Sequence, residues 1–512
     1  MKQILLFVFL LSPYLCLQAQ ESRKVYGIPG ITSEIRALQR TATAWEPVGK
    51  TVLPKSVDNS RLKYFPAIFS QQGGSCAQAS GIRYLFTYEM NRLLDRDARA
   101  SAENTFSYFY TWNFINEGKD QGGFAEQGLN IAKSQGIMSL ADFPDPTSVY
   151  GFPWMSGYDK YIRAMHYRAK EIISIEVTDQ AGIDKVRRYL YDAGNGSTHG
   201  GILTYSALAE GWKFNASYSG PSETGYTYLL TQLATDGAHA MTIVGYDDTV
   251  EFTADGQTHN GAFIVANSYG TWWGDQGKYY LPYYFFLQSN RPALTLSHNV
   301  TGVVPEYRDP KIVFKVKVTY NSRNDLSFTM GVADKPYATS PVITQKTGIA
   351  DNQGGDIKMQ GVYESTTIEM AFDFSDALPK YTSFAAPKYF LSVMCSEIGN
   401  FGTGTINYFS VVDYRDAAHP VEYVCKDISN TALKKGANLF SVATTTLSTT
   451  SASGINWLDQ LLQVYSSPYI VRTANRKYTK IQFLDYDKQT GTVNIKYLYQ
   501  PDGSTNLNSL KN

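Results

Sequence analysis

The stretch Gln71-Gln72-Gly73-Gly74-Ser75-Cys76-Ala77-Gln78-Ala79-Ser80 decides how the first half of this chain is read. Two glycines and a serine close one segment. From about Ala79 to Leu94, Ile82, Leu85, Phe86, Met90 and Leu93 then recur at three- and four-residue steps. That periodicity predicts a buried amphipathic helix beginning just after Cys76. The thiol therefore stands at a helix N-terminus, whose unpaired N–H groups favour a thiolate.

Working outward, residues from about Thr105 to Phe114 and from Glu126 to Gln135 read as helices, the second ending at Gly136. Ala240 to Tyr246 and Ala262 to Ala266 read as short apolar strands, so the first half mixes α and β. After about Asn299 the texture alternates, as in Ile312-Val313-Phe314-Lys315-Val316-Lys317-Val318-Thr319-Tyr320, with turn clusters at Asn321 to Asp325 and Asp351 to Gly355. This region reads as a β-sandwich. A polar stretch, Thr444 to Ser453, leads to strand-like runs at Tyr469 to Arg472, Lys480 to Leu484 and Thr492 to Tyr499, a small β-module.

The 512 residues carry 46 Lys plus Arg against 46 Asp plus Glu, which argues against binding nucleic acid or acidic membranes by bulk charge. With 43% hydrophobic residues the chain fills several cores, and 38 Tyr with only 18% charged residues suits an exported, β-rich protein. Met1-Lys2-Gln3, an apolar run from Ile4 to Leu17 and the exit Gln18-Ala19-Gln20 predict a signal peptide over 1–20. Secretion, or release to the periplasm or cell surface, is expected. No membrane span follows it, and Cys16 lacks the small residues a lipid-attachment site needs before it. Of the remaining cysteines, Cys395 and Cys425 sit in strand-like runs, either as a pair or as two buried thiols. Cys76 differs in kind.

A nucleophilic thiol needs an imidazole. His239 is singled out by Asp236-Gly237-Ala238-His239-Ala240-Met241-Thr242-Ile243-Val244-Gly245-Tyr246, at the mouth of an apolar strand. Further on, Phe263-Ile264-Val265-Ala266-Asn267-Ser268-Tyr269-Gly270-Thr271-Trp272-Trp273-Gly274 ends another strand on an Asn, whose amide can orient an imidazole. The other five histidines show no paired ligand spacing, so neither a metal nor a cofactor is expected.

In order and spacing, with Cys76 and His239 163 residues apart, these three blocks resemble the papain-like cysteine peptidases. Leu53-Pro54-Lys55-Ser56-Val57-Asp58 resembles the segment leading into that catalytic domain, and Gln121-Gly122-Gly123-Phe124 resembles the glycine pair beside bound peptide, so the likeness covers roughly 50–290. The resemblance implies an α+β papain-like domain in which Cys76 is the nucleophile, His239 the general base and acid, and Asn267 the residue orienting the imidazole. Tyr269 and Trp273 would shield that contact from water, and Gly122 and Gly123 would contact substrate. The oxyanion would be held by the Cys76 backbone N–H and an upstream Gln. The family places that Gln six residues before the Cys, where this chain has Ser70; Gln71 is favoured over Gln72. Ala77 stands where the family has an aromatic, and the nearby family disulfide has no partner cysteines.

The last strands, Tyr469 to Ser504, are similar to those of HmuY-type haem-binding lipoproteins of Bacteroidetes, and the peptidase resembles an exported type from such bacteria. All six histidines precede residue 420, so this module is expected to share a fold without its ligand. The expected organisation is a signal peptide at 1–20, a papain-like domain at 21–300, an all-β sandwich at 301–440 and a small C-terminal β-module at 441–512. The expected function is a secreted cysteine peptidase acting on peptides or proteins through a thioester acyl-enzyme. The alternative is a degenerate papain-like scaffold serving in adhesion or binding, with the C-terminal β-domains meeting a cell-surface or protein partner. Transglutaminase-like amide chemistry ranks lower, since its third residue is usually Asp. Only about 30 residues separate the signal from Leu53, so either no zymogen or inhibition by the C-terminal region is expected.

Overall fold

The computed structural model describes residue 37 and residues 41–145, 153–288, 298–362, 366–396, 402–444, 469–472, 478–487 and 492–500. The expected signal peptide and most of the Ser/Thr stretch lie outside them. The chain divides into two units, Met1–Val442 and Ala443–Asn512.

A continuous helix over 76–94 (α1) runs through the first unit, formed of Cys76–Gln78, π-helical turns Ala79–Phe86 and Thr87–Leu94. It starts three residues before the expected Ala79, because the left-handed Gly73 (φ 60°) turns the chain so that Cys76 already takes helical geometry. Every residue from Cys76 to Asn91 is buried, as expected of a helix enclosed on all sides. It stops where Asp95 turns left-handed. Around it lie α2 (Tyr108–Ile115), α3 (Ala125–Gln135), α4 (Tyr158–Ala164) and α5 (Gln180–Asp192). α2 begins later than the sequence periodicity suggests, since Phe106 bridges to Ser139 in extended form.

The strands of this part are β1 (Thr43–Ala44), β2 (Ser56–Asp58), β3 (Tyr167–Glu176), β4 (Leu203–Glu210), β5 (Lys213–Asn215), β6 (Leu229–Gln232), β7 (Asp236–Ala254), β8 (Gln257–Ala266), β9 (Lys278–Pro282) and β10 (Asn299–Tyr307). They form one mixed sheet in the order β1-β3-β10-β4-β7-β8-β9-β6-β5, with β2 on β7. The expected short strand at Ala240 to Tyr246 is the middle of the 19-residue β7, which bends at register shifts between Ile243 and Gly245 and between Asp247 and Glu251. β10 straddles the expected boundary at 300/301 and lies between β3 and β4, so the α+β sheet takes in residues as far as Tyr307.

Two antiparallel sheets follow. One joins β11 (Ile312–Tyr320), β14 (Thr367–Asp373), β16 (Gly404–Asp413), β17 (Val421–Val424) and β18 (Thr431–Ala432). The other orders β13 (Ile343–Lys346), β12 (Leu326–Ala333), β15 (Lys388–Cys395) and β19 (Gly436–Ala443). Phe314 meets Tyr389 and Phe328 meets Phe372 across the two layers, at ring distances of 5.9 and 5.5 Å. Cys395 and Cys425 are buried free thiols. The buried Arg168 of β3 bridges to Asp373 of β14, and to Asp376 at 3.1 Å, tying the mixed sheet to these two sheets.

In the second unit, β20 (Tyr469–Arg472), β21 (Tyr478–Asp487) and β22 (Thr492–Gln500) form a three-stranded antiparallel meander. No helix among the described residues is long and apolar enough to cross a membrane.

Candidate active site

Three elements converge on Cys76: the start of α1, the first residues of β7 and the segment leading into α3. The thiol is 2% exposed and packs with Ala77, Phe124, Ala238 and Ala240, against which Leu208 also lies. The backbone N–H groups of Ala240, Ala77 and Cys76 itself point to the sulfur and favour the thiolate, but burial outweighs them and pushes the thiol up to about 11. Helix start and strand thus place the sulfur beside the backbone next to His239.

His239, 1% exposed, lies on β7 opposite Ala207 of β4. Its Nε2 is 2.8 Å from Asn267 Oδ1. Asn267 Oδ1 also accepts the Ser268 backbone N–H at 2.7 Å, which fixes that atom as the oxygen. Nε2 therefore donates, and in the neutral ring the lone pair is left on Nδ1. Burial lowers the imidazole to about 4, partly offset by the Asn267 bond. Burial thus favours the neutral form of both the thiol and the imidazole.

Tyr269 stacks on His239 at 4.6 Å with the rings 17° apart, and Trp273 meets Tyr269 edge-on at 5.7 Å. Of the two aromatics expected to cover the His–Asn contact, Tyr269 touches the imidazole and Trp273 backs Tyr269. α1 reaches this loop as well, since Tyr84 Oη donates to the Asn267 carbonyl at 3.0 Å.

Gln71 is buried, and its backbone N–H donates to the Ser268 carbonyl at 2.8 Å. Its Oε1 accepts from Ser268 Oγ, while Nε2 donates to the Gly73 carbonyl at 3.0 Å. The amide is thereby oriented with one of its two N–H hydrogens left over. Gln72 is only half-buried, and its backbone N–H is directed at Tyr108 Oη.

Gly122 and Gly123 are buried in the strap 117–124, and among the described residues neither spends a backbone group on a hydrogen bond within the chain. Their neighbours are pinned. Trp112 Nε1 donates to the Gln121 carbonyl at 2.9 Å, and Gln78 Nε2 donates to the Phe124 carbonyl at 2.9 Å. The Phe124 N–H donates to Gln127 Oε1 at 2.8 Å. Leu208 also lines an open cleft of about 610 Å³ of mixed character, with Leu233, Tyr284 and Phe285 alongside Gln232, Thr235 and Gln288.

Sequence reasoning missed Ser268, Gln78 and Asp120. Ser268 had a signal in its place next to Asn267; the other two are polar residues whose partners come only from the folded chain.

No family model matches this chain, and no curated protein matches it. Among solved structures it is similar to xylellain, a cysteine protease from Xylella fastidiosa, at 18% identity over 55% of this chain and 96% of the other, with a TM-score of 0.37. It is also similar to procathepsin B S9 from Trypanosoma congolense, at 16% identity over 58% and 99%, TM-score 0.35. A third likeness is to the proform of Amb a 11, a ragweed pollen cysteine protease, at 16% identity over 56% and 76%, TM-score 0.37.

Proposed function

We propose that the chain is a papain-like cysteine peptidase, exported by its N-terminal segment. The observation that carries this is the joint placement of a thiol at a buried helix start, a strand imidazole next to the backbone it touches, and an Asn oxygen that leaves Nδ1 of that imidazole as the base. Cys76 transfers its proton to His239 Nδ1 as sulfur attacks a peptide carbonyl. The oxyanion meets the Cys76 backbone N–H and the spare N–H of Gln71. His239 returns the proton to the leaving amine, and water activated by the same nitrogen then hydrolyses the thioester. The free backbone groups of Gly122 and Gly123 suit an extended peptide.

Hydrolysis of a fluorogenic peptide pool tests this. Cys76→Ala and His239→Ala are expected to lose activity on the order of 10³-fold or more. Undiminished cleavage by either variant contradicts the proposal.

A second reading, a catalytically inert scaffold used for binding, is favoured by the burial that keeps both groups neutral. Iodoacetamide separates the two readings. In an enzyme the imidazole activates the thiol, so His239→Ala slows Cys76 alkylation at pH 6; in an inert scaffold the variant and the parent react equally slowly.

A further inference from the structure

The turn that presents Cys76 and the strap that presents Gly122 and Gly123 are joined through one carboxylate. Asp120 Oδ1 accepts the Gly74 backbone N–H at 2.6 Å. A Cβ on Gly73 would fall on that same carboxylate, and one on Gly74 would stand 2.9 Å from the Gln121 carbonyl carbon. Glycine is thus required at both positions for the two segments to come this close, with Gly73 also left-handed. A short bond from N–H to a carboxylate is the strong kind. The far end of the strap is fixed separately: a Cβ on Gly118 would meet Ile357 Cδ1 at 2.5 Å and the Gly354 carbonyl at 3.0 Å.

We propose that Asp120 is a positioning residue that locks the strap to the nucleophile turn and so sets the distance between Cys76 and the glycine pair. It does not touch substrate. Its side chain holds the amide two residues before Cys76 and immediately precedes Gln121, so losing the bond frees both walls of the groove at once. This rests on the peptidase reading for its kinetic consequence, but not for its structural one.

The test compares Asp120→Ala and Asp120→Asn in the full chain. Asn keeps an oxygen for the Gly74 N–H and is expected to retain most activity. Ala is expected to lower kcat/KM on the order of 10²-fold, with KM raised as well as kcat lowered, as for a misplaced substrate. Hydrogen exchange is expected to speed up in Ala at 72–76 and 118–124 alone, with the thermal midpoint held within a few degrees. Exchange at those segments unchanged in Ala overturns the lock, whether or not the chain hydrolyses peptides. Ala kinetics equal to the parent, or Asn as impaired as Ala, overturns the positioning role. Absence of hydrolysis in the parent with local exchange altered in Ala instead overturns the peptidase reading and leaves the lock standing.

Discussion

At the scale of single residues, the site is governed by burial competing with hydrogen bonds. Burial raises the thiol to about 11 and lowers the imidazole to about 4, so between those values the proton rests on the thiol and Nδ1 of the imidazole is open to receive it. The kcat/KM profile is therefore expected to be bell-shaped, with an acid limb near 4 and an alkaline limb near 11. The Asn267 bond raises His239, so Asn267→Ala is expected to move the acid limb to lower pH; a shift upward contradicts the assigned bond. The same burial affects folding. A His of lowered folded pKa stays neutral while its unfolded counterpart takes a proton below about 6.5, so stability falls as pH drops from there towards 4, by about 3 kcal/mol in all. His239→Gln is expected to flatten that part of a denaturation-versus-pH curve. Gln71→Ala is expected to cost about 10²-fold in kcat with KM little changed, the mark of an interaction made only to the oxyanion.

At the scale of elements, the groove depends on where helices stop and how closely they approach. α3 ends at Gly136, with φ 80° and ψ −177°, and a Cβ there would run into the Ala164 carbonyl. Gly136→Ala is expected to cost about 2 kcal/mol or more in denaturant unfolding; an unchanged midpoint contradicts this account of the turn. Elements of this kind were readable from sequence: α1 from its apolar spacing, the end of α3 from Gly136, β11 from strict alternation. The thiol, imidazole and amide were readable too, because each closes or opens an apolar run and so carries a local signature. Asp120 and Gln78 were not, since a polar residue in a loop or on an enclosed helix gains its meaning only from a partner brought by folding. β10 escaped for a related reason. Its Val and Thr residues read as one more of the β-rich segments after it, and nothing local says that it pairs with β3 and β4.

At the scale of the whole molecule, the pair of antiparallel sheets following β10 is coupled to the mixed sheet. Arg168 and Asp373 are each 1% exposed at the side chain, and Arg168 also donates to the Lys133 carbonyl. Removing Arg168 leaves the buried Asp373 with, among the described residues, only the longer ion pair to Arg308 at 3.5 Å, so Arg168→Met is expected to cost about 3 kcal/mol, with much of it recovered in Arg168→Met/Asp373→Leu. A chain ended at residue 298 lacks β10 and is expected to lose cooperative unfolding and activity together, whereas one ended after Thr444 keeps both. The central claim, that the assembly performs acyl transfer on Cys76, is tested most directly by acid-quenching the protein during turnover of a peptidyl ester and locating any adduct by mass spectrometry. The predicted result is an acyl group in thioester linkage on Cys76, absent from Cys76→Ala; turnover with no adduct on Cys76, or with one on another residue, contradicts it.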